Sequence, residues 1–332
     1  MRFPTATVAL VACCCACASR HAPTGASKDA QHPLIGRFWD VHASRWVDEA
    51  TVETAQAGAD FVLLGETHDN PDHHRLQARM LRALVAAGRR PVVAFEMLES
   101  DQQGVVDAAL ARSPRDPDAI ARAVGWARSG WPDFAMYRPI FAVALDAGLP
   151  IVATNLSRKH AREVVTRGAS VLDPRVRDML ARQGPLPEDA ARALREEMYE
   201  SHCRQLPDSM LDPMVLMQRP RDAQIAERLL AAAGERGGVL VAGSGHVRDD
   251  RAVPAYLARE APGRKVVSTA FLEVSPDGLT PDAYSEGFGT GPLPFDYVGF
   301  TPRTEREDPC IGIEKRLHPI VPEVPGAEWV SR

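Results

Sequence analysis

Four apolar runs, at 61–64, 91–95, 150–153 and 238–242, are short, almost unbroken and end in polar residues, and they constrain the fold of this chain more than any other feature. Such near-continuous hydrophobicity suits strands buried on both faces, as in the middle of a parallel sheet. Segments 265–274 and 295–300 supply further strand candidates. Helical patterns fall between the runs, the alternation of βαβ units. The expected fold class is α/β: a mostly parallel central sheet flanked by helices.

The first crossover helix is expected over 73–87, where Leu76, Met80, Leu81, Leu84 and Val85 recur at helical spacing ahead of Gly88. A second is expected over 139–147, with Pro139 in its first turn and Gly148 past its end, which puts Tyr137 just before the helix. Ala226, Leu229, Leu230 and Ala233 form the apolar stripe of a later one. Between about 173 and 218 the pattern turns charged and Pro-punctuated, without strands, and reads as a helical insertion or lid. The domain is expected over 35–304, preceded by a signal segment (1–17) and a flexible tether (18–34) and followed by a tail (305–332).

Met1-Arg2 and the apolar residues that follow resemble an export signal, too short to span a bilayer. Leu10-Val11-Ala12-Cys13 looks like a lipobox, so Cys13 is the expected lipidated residue, with Cys14, Cys15 and Cys17 close behind it. Cys203 and Cys310 remain for the folded body, enough for one bridge and without Cys-x-x-Cys metal spacing. The net charge of -5 argues against a nucleic-acid surface, which needs a basic face.

The constellation Gly-x-x-His occurs twice, at Gly65-Glu66-Thr67-His68 and Gly243-Ser244-Gly245-His246, each time directly after a strand run. Open α/β sheets assemble ligand sites at such strand ends. Glu96 follows the second run and Asn155 the third. A carboxylate at the end of a buried strand costs several kcal/mol unless it is paired or bound to a cation. His68, His246 and Glu66 are its expected partners, and two histidines with carboxylates are also a set that a divalent metal accepts. The expected metal set is therefore His68, His246, Glu66 and Glu96. In a hydrolase, Glu66 or Glu96 would serve as general base. Asp72 is the expected N-cap for His73 and His74, which lie either on a solvated first turn or facing the site. The aromatic and basic segment 131–139 is the better place for ligand contacts, and Tyr137 is a phenolate candidate for ferric iron.

Residues 63–74, Phe95-Glu96-Met97, 131–139, Ala153-Thr154-Asn155-Leu156, 218–222, 243–246 and 297–303 together resemble the ChaN-like haem-binding lipoproteins, over nearly all of the chain after about Arg37. That family is grouped with the Tiki, TraB/PrgY and erythromycin esterase proteins. The resemblance implies a site inherited from that superfamily at Glu66, His68, Glu96 and His246. It also implies non-covalent haem at a homodimer interface, with a tyrosine as axial ligand and basic or histidine side chains at the propionates. Tyr137 is the preferred ligand and Tyr199 the second; His202, Arg158 and His74 are the candidate cofactor contacts. The implied role is iron acquisition or haem handling, on the outer membrane facing the periplasm and beside an uptake system, with a metal-dependent hydrolase as the alternative.

Overall fold

The apolar runs become the buried strands of one eight-stranded sheet in the computed structural model, which describes residues 31–289, 291–306 and 310–311. The expected signal segment, Cys13, most of the tether and most of the tail lie outside the described residues. The strands are β1 (Phe38–Asp40), β2 (Arg45–Val47), β3 (Phe61–Glu66), β4 (Val92–Glu99), β5 (Ile151–Asn155), β6 (Gly238–Gly243), β7 (Val266–Glu273) and β8 (Tyr297–Thr301), in the spatial order β2-β1-β8-β7-β3-β6-β4-β5. The pairs from β8 through β7, β3, β6 and β4 to β5 are all parallel. A short antiparallel hairpin, β1 and β2, closes the β8 edge.

The helices are α1 (Glu49–Ala57), α2 (Pro71–Ala86), α3 (Gln103–Arg112), α4 (Pro117–Val124), α5 (Phe134–Asp146), α6 (Arg158–Arg167), α7 (Pro174–Gln183), α8 (Glu188–Ser201), α9 (Asp208–Ala233) and α10 (Val253–Glu260). Alternate strand residues point to opposite faces, so β3 sends Val62 and Leu64 into one core with α2 and α5, and Phe61 and Leu63 into a second core with α9 and α10. The paired-motif strands β3 and β6 are neighbours, with Gly65 opposite Ala242 and Glu66 opposite Gly243. Both motifs therefore emerge side by side at the carboxyl end of the sheet.

Two expectations about boundaries change. Helix α5 begins at Phe134, because the Asp133 side chain accepts the Ala135 N–H at 2.9 Å and caps it; Pro139 lies inside, and Tyr137 is a helical residue rather than one ahead of the helix. The α2 N-cap is Asn70, whose side chain accepts from Asp72 and His73 N–H, with Pro71 and Asp72 already inside the helix. Helices α7 and α8 lie within 173–218, whereas α9 runs on from that segment to Ala233 as one helix. Cys203 and Cys310 form a disulfide that links the α8–α9 turn to the C-terminal segment. Among the described residues no helix is long and apolar enough to cross a membrane.

Candidate functional site: a buried carboxylate and imidazole network

The glycine of each motif leaves room for the loop of the other. A Cβ on Gly65 would collide with the Val247 side chain and approach Ser244 Cα to 3.1 Å, and one on Gly243 would lie 2.9 Å from His68 Nε2. The repeat thus reflects two loops that meet, and not two independent turns. Gly65→Ala is expected to cost about 1–3 kcal/mol through overpacking, read as a lower urea midpoint; an unchanged midpoint would show that the loops part without penalty.

Glu66 is fully buried at the end of β3. Its Oε1 accepts from Tyr137 Oη at 2.7 Å and lies 2.9 Å from His68 Nδ1, while Oε2 lies 3.1 Å from His74 Nδ1. His74 Nε2 faces the His68 carbonyl at 2.9 Å, so that nitrogen carries the proton and donates. Burial alone would raise the Glu66 carboxyl, but the hydrogen bonds from His68 and His74 outweigh it and hold the group down at about 2.

Glu96 owes its inward aim to an irregularity in the sheet. Pairing of β4 with β5 passes from Phe95–Ala153 directly to Glu99–Asn155, so β4 carries extra residues there, as strands often do beside sites. Glu96 Oε2 accepts the Gly243 N–H at 2.8 Å and sits 4.0 Å from His68 Nε2; Oε1 lies 3.3 Å from His246 Nε2. Burial opposes its ionisation, yet the charge and hydrogen bond of His246 keep it well below the usual carboxylate range.

His246 faces carboxylates through both nitrogens, since Nδ1 lies 2.7 Å from Asp222 Oδ1. Burial would depress this imidazole, but Glu96 and Asp222 raise it to about 10. Burial is also the main influence on Asp222, which it pushes up. His68, whose side chain is 35% exposed, is likewise raised: burial would lower it, and the hydrogen bond to Glu66 and the Glu96 charge overcome that. Three carboxylates thus interleave with three imidazoles, which answers the need of Glu96 for a partner.

The linked pH dependence has a definite sign. Stability from His246 is fully present below its ordinary value of 6.5 and is lost as pH rises through about 10; that from Glu66 is present above 4.5 and lost as pH falls through about 2. Urea midpoints should therefore decline between about pH 6.5 and 10 and decline less in His246→Gln. A wild-type profile flat over that range would contradict the assignment.

His73 is buried away from this network. Its Nδ1 accepts the Thr67 N–H and its Nε2–H donates to Thr301 Oγ1, each at 2.8 Å, and burial lowers it to about 4, so it is a neutral tie between strands. Asn155 is buried at the end of β5, and its Oδ1 has no hydrogen-bond partner among the described residues. Asp222 was not expected on the site.

Several expected roles change with these positions. Tyr137 is fully buried, its hydroxyl donates to Glu66, and burial and the Glu66 charge push its phenol far above the ordinary range, so it offers no phenolate to a haem. His74 is equally buried between Glu66 and Tyr137 and reaches no surface where a propionate could lie. Glu66, Glu96, His68 and His246, the expected metal set, hydrogen-bond to one another and to their neighbours; among the described residues no group of three or more His, Cys, Asp or Glu is arranged to hold a metal ion. Arg158 is exposed, donates to the Ser129 carbonyl and lies 3.7 Å from Glu99. Tyr199 and His202 lie on and just past the last turn of α8, both half-buried. His202 Nδ1 contacts the Met198 carbonyl at 2.7 Å.

The fold and the paired strand-end motifs define an α/β protein with a charged site at the carboxyl edge of a parallel sheet. The chain belongs to the ChaN family of the Tiki superfamily, described as haem-binding uptake, which matches residues 53–257. It is similar to ChaN of Campylobacter jejuni, whose structure is described as showing cofacial heme binding: 22% identity, a TM-score of 0.61, and coverage of 79% of this chain and 95% of that one. It is more distantly similar to the type III effector HopBA1, at 13% identity and a TM-score of 0.39, covering 76% of this chain and 93% of that one. No curated protein matches the chain.

Proposed function

We propose that this protein binds haem non-covalently at the cell envelope, in iron acquisition or haem handling. The observation that carries this reading is membership of a haem-binding uptake family over residues 53–257. The Campylobacter jejuni relative, described with cofacial heme, supports two copies of this chain closing on two haems face to face. The lipobox-like Leu10-Val11-Ala12-Cys13 supports a lipid anchor at Cys13, on the outer membrane facing the periplasm and beside an uptake system. The Cys203–Cys310 disulfide supports an oxidising compartment.

Among the tyrosines, Tyr199 fits the iron. Tyr137 and Tyr256 are fully buried, Tyr284 Oη is bonded to Ser275 N and Gly278 O, and Tyr297 opens strand β8. Tyr199 is half-buried on α8, the helix whose Glu197 accepts from Arg248 and Arg251 beside the second motif. Ferric haem, when bound, would supply an iron that accepts a phenolate. His202, one helical turn on, would meet a propionate through Nε2, because its Nδ1–H is taken by the Met198 carbonyl. The residues do not fit a divalent ion as they stand, and the hydrolase reading gains no step from them. Adding haemin to the purified protein should give a saturable Soret shift near one haem per chain; an unshifted spectrum would overturn the proposal.

A further inference from the structure

The aromatic segment ahead of α5 has no part in the haem site proposed at Tyr199, yet it walls a cleft of about 680 Å³. Half-buried Trp131 supplies the apolar surface, Trp126 and Phe134, buried in the core, back it, and Gly125, Arg122 and Arg128 complete the lining. Gly125 adopts φ +70°, and a side chain there would meet the Arg128 guanidinium at 3.2 Å, so the glycine makes room for that group. The other rim charges are engaged. Arg122 pairs with Asp116 at 2.8 Å, Asp118 with Arg138 at 3.0 Å, and Asp133 caps α5. Arg128 has neither an ion pair nor a side-chain hydrogen bond among the described residues. Trp126 is anchored by its indole N–H on the Pro132 carbonyl at 2.8 Å, and Arg158 braces the Ser129 carbonyl, so the walls are preformed. On its inner side Trp131 packs edge-on against His68, with ring centroids 4.9 Å apart.

We propose that this cleft is a binding site for a small aromatic carboxylate, whose ring lies against Trp131 and whose carboxylate pairs with Arg128. A flat indole wall beside one unpaired guanidinium is the complement of a flat ring with one negative charge. The neutral amide of the same ring has no charge to offer Arg128, and the site discriminates against it. The contact of Trp131 with His68 ties occupancy of the cleft to the exposed member of the buried network.

Calorimetric titration of the full chain with 2-naphthoate tests the proposal. The expected result is saturable binding at one site, weakened about 10-fold in Arg128→Gln, the equivalent of about 1.4 kcal/mol. In the wild type 2-naphthamide should bind as weakly as 2-naphthoate binds to Arg128→Gln, and Trp131→Ala should weaken both probes. The His68 ring-proton resonances should shift with the same midpoint. Absence of saturable heat, or equal affinity in Arg128→Gln and wild type, would overturn it. Tyr199→Phe should leave naphthoate binding unchanged, so failure here and failure of haem binding are separately visible.

Discussion

Glu96→Ala should lower the unfolding free energy by about 3–5 kcal/mol at neutral pH, the largest stability loss expected of any single change at the sheet end. Glu96 is 3% exposed and serves three neighbours: the His246 imidazole, the His68 imidazole and the Gly243 N–H. Removing it leaves a buried imidazolium with Asp222 as its remaining carboxylate and a backbone N–H without an acceptor. Glu96→Gln retains an oxygen for Gly243 and should lose less. Urea denaturation of the three proteins measures the difference directly. A loss below about 1 kcal/mol in Glu96→Ala would mean that the network is solvated and its charges weakly coupled.

The second large effect concerns the iron ligand. Tyr199→Phe should remove the phenolate and with it most haem affinity, on the order of 10-fold or more, while haem titration of Tyr137→Phe should match wild type. The same Tyr137→Phe should instead be less stable by about 1–3 kcal/mol, because Glu66 loses a 2.7 Å donor and both side chains are buried. The two tyrosines thus separate stability from haem binding. Reversed effects would return the ligand to the Glu66 side of the sheet.

How far the sequence reveals this arrangement depends on what each residue answers to. The strands at 61–64 and 238–242 were legible because burial on both faces requires unbroken apolar runs, and they are indeed adjacent and parallel. Glu96 was legible because a charge at the end of such a run needs a partner. The position of Tyr137 is not legible because Pro139 looks like a first-turn proline, whereas the cap is Asp133, six residues earlier. Asp222 carries a signal of its own: it continues the stripe of Ala226, Leu229 and Ala233, so an acid occupies a core position of a helix. The β1–β2 hairpin carries only three residues per strand, too few for a period to register. Which tyrosines reach the surface is a property of packing and has no local signature. The repeated glycines read as turn formers in sequence, yet their role is the close approach of one loop to the other, which depends on the register of β3 against β6.

In the proposed complex Tyr199 of α8 holds the iron, and the paired-motif network keeps its hydrogen bonds to itself. Electron paramagnetic resonance of the ferric haem complex tests it most directly, in wild type, Tyr199→Phe and Tyr137→Phe. A high-spin phenolate-ligated signal is expected in wild type and Tyr137→Phe and should be lost in Tyr199→Phe. A phenolate signal that survives in Tyr199→Phe and disappears in Tyr137→Phe would contradict it.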